Sequence, residues 1–372
     1  MTHRILLWTQ HLLGIGHLMR SVHVARALSE AGHTVLLASG GLIPGDISLE
    51  SVETLQLPPV RAKNELFDEL VDHEGHDVTS GLMTARKDAL VNAFHRFAPD
   101  CVVTETFPFG RRLVQAEVLA LIEAANSRSR RPKLVSSVRD VLQRPRKAER
   151  ANAMVDLAVS QYDLVLVHGD PHVIPADASF PEIRRASHLL RYTGYIGQMP
   201  DRSAEPRTEV IISAGGGAVG DTLIRVAAAA RKLTMLADRP WTVVTGPLSK
   251  ADVGEHDGIS FVRSIPNLSR RIAQAALSVS QAGYNTVVET LSGQTPAVLV
   301  PFETDREREQ VTRAQYLAEK GLVSLVRANQ LSPTSLANAI DERFRAGMPP
   351  HTLNLDGKAG TVMAINALMD QR

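Results

Sequence analysis

The chain of 372 residues contains a single cysteine, Cys101, inside the apolar run CVV. One cysteine cannot close an intramolecular disulfide, so its expected role is packing in a reducing compartment. Neither charge is in excess: 41 basic residues face 40 acidic ones, for a net charge of +1. That balance argues against nucleic-acid binding, which needs a basic face or stripe. No apolar run reaches the ~20 residues that span a bilayer. The opening MTHR leads straight into a short strand-like run, without the cleavage pattern of a secretory signal. The expected location is the cytosol, with peripheral contact at the inner face of a membrane left open. Tandem repeats and low-complexity segments are absent as well.

What is present is an alternation. The length suits two domains of roughly 150–190 residues, each with its own core. In the first half RILLW, TVLLAS, DCVVTE, KLVSSV and DLVLVH read as strands buried on both faces. Between the first two, Leu18, Val22, Ala25, Leu28 and Ala31 recur at helical spacing, and Gly32 follows as a left-handed cap. In the second half TEVIIS, WTVVT, ISFV, ALSVS, PAVLVP and LVSLV repeat the pattern, and Ser332 and Pro333 open a helix. The polar, proline-containing stretch GQMPDRSAEPRT reads as a linker. The expected fold is α/β, with two doubly wound Rossmann-like domains facing a cleft. Residues 1–196 and 208–372 form the domains, 197–207 the linker, and the last helix is free to pack back on the first domain. Ligands of such sheets bind at the carboxyl ends of the strands. The stretch from Asp68 to Thr84 has weak periodicity and reads as loop or mobile helix.

Three strand-to-helix turns carry candidate chemistry. The first, LGIGHLMRS, sets Gly14 and Gly16 around His17 and Arg20. Glycines permit positive φ and close approach to the backbone. The helix N-terminus favours an anion and opposes protonation of His17, so a neutral imidazole there can serve as a base. A plain cap or carbonyl contact is the alternative. The dinucleotide fingerprint is not met, because Met19 stands at the third glycine position. The second turn, SAGGGAVGD, places Gly215, Gly216 and Gly217 after a buried strand, as a phosphate cradle or a tight turn. It lacks the Lys-Ser/Thr ending of a P-loop. The third, QAGYNTVVE, opens a helix with Gly283, Tyr284, Asn285 and Thr286, and Glu289 lies one turn further in. A carboxylate there can accept both hydroxyls of a ribose, or it can share a capping box with Thr286.

These segments, in this order, resemble the GT-B glycosyltransferases of family 28, which includes the peptidoglycan N-acetylglucosaminyltransferases. The resemblance is concentrated from Phe261 to Val323, in SQAGYNTVVETLSGQTPAVLVPF. It implies that Gly283, Asn285 and Thr286 hold a donor diphosphate and Glu289 a ribose. It implies that the backbone at Ile265 meets the base. Of the family's sugar-contacting glutamine pair, Gln310 is present and Glu309 replaces the other. The turn GIGHLMRS is similar to that of the nucleotide-sugar hydrolase of pseudaminic acid synthesis, a relative whose turn histidine acts with water. Both likenesses imply that His17 faces the acceptor.

Other strand ends supply weaker candidates. Glu105 can orient His17 or bind acceptor hydroxyls, and Arg111 and Arg112 can meet an anionic acceptor or remain surface charge. Arg139 and Asp140, and His168 and Asp170, end two further strands. His73 and His76 lack a third ligand in a defined element, so no metal site is expected. The resulting expectation is an inverting, metal-independent transferase without a cofactor. It takes a sugar from a nucleotide-sugar donor, a UDP-sugar by resemblance, to a hydroxyl acceptor that is lipid-linked in the family. Hydrolysis of a nucleotide sugar and non-catalytic binding are the alternatives.

Overall fold

The structure, a computed structural model, describes all residues except 46, 65–67, 199, 201–206, 215–219, 247–256, 305–307 and 372. The chain divides into two compact units. The first comprises Met1–Pro171, Pro175–Ile196 and Asp356–Arg372, and the second His172–Ile174 and Gly197–Leu355.

The first unit is built on strands β1 (Arg4–Thr9), β2 (Thr34–Ser39), β3 (Glu53–Gln56), β4 (Val60–Ala62), β5 (Leu70–Asp72), β6 (Cys101–Glu105), β7 (Lys133–Arg139), β8 (Leu164–His168) and β9 (Leu190–Tyr192). Seven of them form a parallel sheet in the order β3-β2-β1-β6-β7-β8-β9. Helices α1 (Gly16–Glu30), α2 (Ser80–Phe97), α3 (Gln115–Asn126), α4 (Ala148–Gln161) and α5 (Ala176–Ser179) fill the connections. Both faces of the sheet are covered. Leu18, Val22, Ala25 and Leu28 of α1 pack on Ile5, Leu7, Val35 and Leu37 from one side. Leu90 and Phe94 of α2 and Val118 and Leu121 of α3 pack on Leu6, Trp8 and Val102 from the other. Burial of apolar surface on both faces explains why these strands lack polar alternation. Cys101 is fully buried among them, and burial pushes its thiol pKa up.

Gly32 ends α1 at φ +90°, with the Gly32 and His33 amides bonded back to Ser29 and Leu28. The stretch from Asp68 to Thr84 departs from the loop expectation. Leu70–Asp72 pairs antiparallel with Val60–Ala62, and α2 starts at Ser80 with Thr79 as its side-chain cap. These strands are three residues long, too short to show a period.

The second unit carries β10 (Val210–Ser213), β11 (Trp241–Val244), β12 (Ile259–Val262), β13 (Leu277–Ser280), β14 (Ala297–Leu299) and β15 (Ser324–Leu325). Its parallel sheet runs β12-β11-β10-β13-β14-β15. Helices α6 (Asp221–Ala230), α7 (Leu268–Gln274), α8 (Tyr284–Gly293), α9 (Glu309–Glu319) and α10 (Pro333–Ala346) accompany it. Ser332 and Ser335 form a capping box at the start of α10. The final helix α11 (Gly357–Asp370) belongs to the first unit, where Ile365, Leu368 and Met369 join the α1 face of its core.

Both strand orders reverse once, between β1 and β6 in the first sheet and between β10 and β13 in the second. Loops leaving such a pair diverge to opposite faces and open a crevice at the carboxyl end. His17 follows β1 and Glu105 ends β6, while Gly283 follows β13.

Candidate active site

His17 is the second residue of α1, and its side chain is 19 % exposed. Its Nδ1 stands 2.8 Å from Glu105 Oε1 and 3.3 Å from Thr106 Oγ1. The Thr106 hydroxyl donates to Glu105 Oε2 at 2.9 Å, and Arg111 Nη2 lies 3.7 Å from the same oxygen. Arg20, one turn along α1, pairs with Glu105 and reaches within 3.3 Å of His17 Nδ1.

The charge states follow. Burial works against ionisation of Glu105, but His17, Arg20 and Arg111 outweigh it and hold the carboxyl well below the usual range. His17 is pushed the other way. Burial lowers its pKa well below 6.5, and the charges of Arg111 and Arg139 add to this, against the opposing pull of Glu105. Burial is the largest cause of the neutral state, and the neighbouring guanidinium groups add to it. A neutral imidazole whose Nδ1 faces a carboxylate carries its proton there, which leaves the Nε2 lone pair to accept one.

The loop after β6 pays for this geometry in backbone strain. Thr106 and Arg111 both sit at φ +66°, a region costly for side chains with a Cβ and most of all for a branched one. Gly110 lies against Thr106: a Cβ there would fall 2.6 Å from Thr106 Cγ2. The loop after β1 is anchored by a buried network invisible to sequence spacing. Trp8 Nε1 donates to Glu117 Oε1 at 2.9 Å, and Arg86 binds both Glu117 oxygens at 2.8 and 2.7 Å. Arg86 also donates to Gln10 Oε1 at 2.8 Å.

Several candidates occupy places that differ from expectation. Neither Gly14 nor Gly16 has positive φ; Gly16 is helical, and space rather than dihedral freedom marks Gly14, where a Cβ would meet nothing within 4 Å. Arg20 is 1 % exposed and committed to Glu105, so it supports the site and does not line it. Asp140 is fully buried and accepts the Val141 N–H, so it is no acceptor contact either. Arg139 ends β7 partly buried, close enough for its charge to act on His17. Arg112 is exposed. His168 is fully buried, with its ring nitrogens 2.8 Å from Ser137 Oγ and 2.8 Å from Thr193 Oγ1, and burial takes its pKa to about 3. Both of its ring nitrogens are thus engaged by hydroxyls inside the protein. Asp170 is buried beside it in sequence. His73 and His76 are exposed. Among the described residues, Asp72, Glu74 and His76 gather on their turn, where Asp72 Oδ1 accepts the Glu74 and His76 backbone N–H groups.

In the second unit, Gly283 is the N-cap of α8, without a side-chain cap, and a Cβ on it would meet nothing within 4 Å. The helix therefore starts one residue before Asn285. Thr286 lies inside it, which removes the capping-box alternative for Thr286 and Glu289. Glu289 is partly buried and has no hydrogen-bond or ion-pair partner among the described residues, and burial raises its pKa to about 7. Tyr284 is buried at 3 % exposure, with the Arg313 guanidinium 5.6 Å from its ring centroid. Ile265 packs against Ile211 and Val244 in the segment between β12 and α7. Gly215, Gly216 and Gly217 lie outside the described residues. Gln310 uses its side-chain oxygen on two backbone N–H groups, and Glu309 pairs with the buried Arg313 at 2.8 Å.

Residues 210–354 match the glycosyltransferase family 28 C-terminal domain. The chain is 25% identical over 351 residues to the UDP-N-acetylglucosamine–N-acetylmuramyl-(pentapeptide) pyrophosphoryl-undecaprenol N-acetylglucosamine transferase of Phenylobacterium zucineum, covering 88% of this chain and 86% of that one. The chain is a glycosyltransferase, similar to family 28 over residues 210–354. Its fold is GT-B. The calicheamicin glycosyltransferase CalG4 superposes with a TM-score of 0.66 at 18% identity, covering 99% of both chains. MurG of Acinetobacter baumannii superposes with a TM-score of 0.59 at 14% identity, over 99% of this chain and 100% of that one. Among the described residues of this glycosyltransferase, no helix is long and apolar enough to cross a membrane.

Proposed function

We propose that this glycosyltransferase moves a sugar from a UDP-sugar to an acceptor hydroxyl with inversion, without a metal, using His17 as the base. The observation that carries the reading is the 2.8 Å contact between His17 Nδ1 and Glu105 Oε1, around an imidazole held neutral. Glu105 fixes the tautomer, and His17 Nε2 takes the proton of the acceptor hydroxyl as its oxygen attacks the anomeric carbon. One displacement at that carbon inverts its configuration.

The donor belongs to the second unit. The first turn of α8 offers backbone N–H groups and partial positive charge to the diphosphate, in the open space at Gly283. These stabilise the leaving nucleotide, the task a divalent cation would otherwise perform. The carboxylate of Glu289, without a partner among the described residues, accepts the ribose hydroxyls. The relative from Phenylobacterium is named for a UDP-N-acetylglucosamine donor and an undecaprenol-linked acceptor, which supports a UDP-sugar and a lipid-linked acceptor here. Gly14 and Arg139 stand on the acceptor side. Catalysis takes place at a peripheral position on the inner face of the membrane.

The reading is tested by incubating the protein with UDP-N-acetylglucosamine and a lipid-linked muramyl acceptor, with and without EDTA. Nuclear magnetic resonance then reads the anomeric configuration of the product. Transfer with inversion that survives EDTA is expected. A retained configuration, or loss of transfer on chelation restored by Mg²⁺, contradicts it.

A further inference from the structure

Gln310 and Arg313 lie one turn apart at the start of α9, and both reach back to the strand ends of their own sheet. The side-chain oxygen of Gln310 accepts the backbone N–H of Ala282 at 3.0 Å and that of Phe302 at 3.1 Å. Ala282 lies in the turn after β13, directly before the N-cap of α8; Phe302 lies in the loop after β14, the neighbouring parallel strand. Arg313, fully buried, donates from Nη1 to the Ala282 carbonyl at 2.9 Å. One residue is therefore gripped at both its backbone groups by one helix.

This arrangement also settles the orientation of the amide. Two N–H donors converge on one terminal atom of Gln310, which must be the oxygen. The NH2 group has no partner among the described residues.

We infer that Gln310 is a positioning residue. It locks the turn at the mouth of α8 to the loop after β14, and so sets the α8 terminus before any sugar is bound. This rests on the reading of that terminus as the diphosphate site. It departs from what the family resemblance implies, a residue acting through contact with the donor sugar. A sugar contact matters only when the sugar is present. A positioning residue matters to the free protein and to a nucleotide that carries no sugar.

The test uses the full chain. Amide hydrogen exchange at Ala282 and Phe302 is measured without ligand in the wild type, Gln310→Met and Gln310→Glu. Methionine keeps the shape and removes the acceptor, so exchange at both amides should accelerate. Glutamate keeps the acceptor, so protection should return to the wild-type level. UDP alone is then titrated by calorimetry. Gln310→Met should bind it about 2- to 12-fold more weakly, the effect of one hydrogen bond. Unchanged exchange in Gln310→Met overturns the inference, as does an unchanged UDP affinity. If the wild type fails to bind UDP, the diphosphate reading falls, and the exchange data alone decide whether Gln310 holds the two loops.

Discussion

The imidazole Nδ1 of His17 and the carboxylate Oε1 of Glu105 stand 2.8 Å apart, joining the first turn of α1 to the end of β6. Residues separated by 88 positions thus form one acid–base unit at the point where the first sheet reverses its strand order. Glu105 raises the basicity of His17, against burial and two guanidinium groups that lower it. Glu105→Gln should therefore lower kcat by about 10²–10⁴-fold, the scale of losing a correctly held base. It should also move the acidic limb of the pH–rate profile to lower pH, since the group that raises the His17 pKa is gone. In the wild type that limb should already lie well below pH 6.5. A limb at or above 6.5 contradicts the assigned environment.

If Glu289 holds the ribose as proposed, donor binding has a pH dependence of its own. Its pKa is raised to about 7 by burial in the free protein. Ribose hydroxyls donate to the ionised form, so binding draws that pKa down. Affinity for UDP-N-acetylglucosamine should thus rise with pH up to about 7 and level off above it, changing at most about tenfold per unit. Glu289→Gln should flatten the curve, and Glu289→Ala should weaken binding about 10- to 150-fold. Calorimetry from pH 5.5 to 8 is the measurement. A pH-independent wild type removes Glu289 from the site.

Gly110 tests the strained loop. A methyl there would lie 2.6 Å from Thr106 Cγ2, and Thr106 is held at φ +66° with its hydroxyl on Glu105. Gly110→Ala should displace Thr106 and lower kcat by about 10- to 100-fold, the scale of a small misplacement at a reacting group. KM for the donor, which the proposed function assigns to the other unit, should not change. An unaltered kcat in a folded variant shows that Thr106 is irrelevant to His17.

His168 is expected to act on stability and not on turnover. Its folded pKa of about 3 lies below the unfolded value of 6.5. Between those values the unfolded chain holds more protons, so stability falls as pH falls through the window. From pH 6.5 to 4.5 this one residue should account for about 2–3 kcal/mol. Urea unfolding at pH 7 and 4.5 should show a smaller loss in His168→Gln than in the wild type. An equal loss places the acid sensitivity elsewhere.

Much of the scaffold is legible in the sequence. Runs such as TVLLAS and KLVSSV are buried on both faces of a parallel sheet, so they show no regular alternation of polar and apolar residues. The strand Glu53–Gln56 escapes notice because it is polar and largely exposed at a sheet edge. In the site, His17 and Glu105 are legible because each ends or begins an element. The commitments of Arg20 to Glu105, of Arg86 to Glu117 and of Arg313 to Ala282 are not, because they join residues 85, 31 and 31 positions apart. Arg20 in GIGHLMRS has the position of a ligand contact and the burial of a support. His168 shows the converse, a strand-end histidine closed in by two hydroxyls. A strand end marks where a site can be, and only packing tells which of its polar groups are open.

The most direct measurement is the turnover of His17→Ala, read beside its affinity for the donor. If His17 Nε2 takes the acceptor proton, kcat falls by about 10²–10⁴-fold, and UDP-N-acetylglucosamine binds as tightly as to the wild type. A folded His17→Ala variant that keeps most of the wild-type turnover would contradict the account, because the proton would then leave by another route.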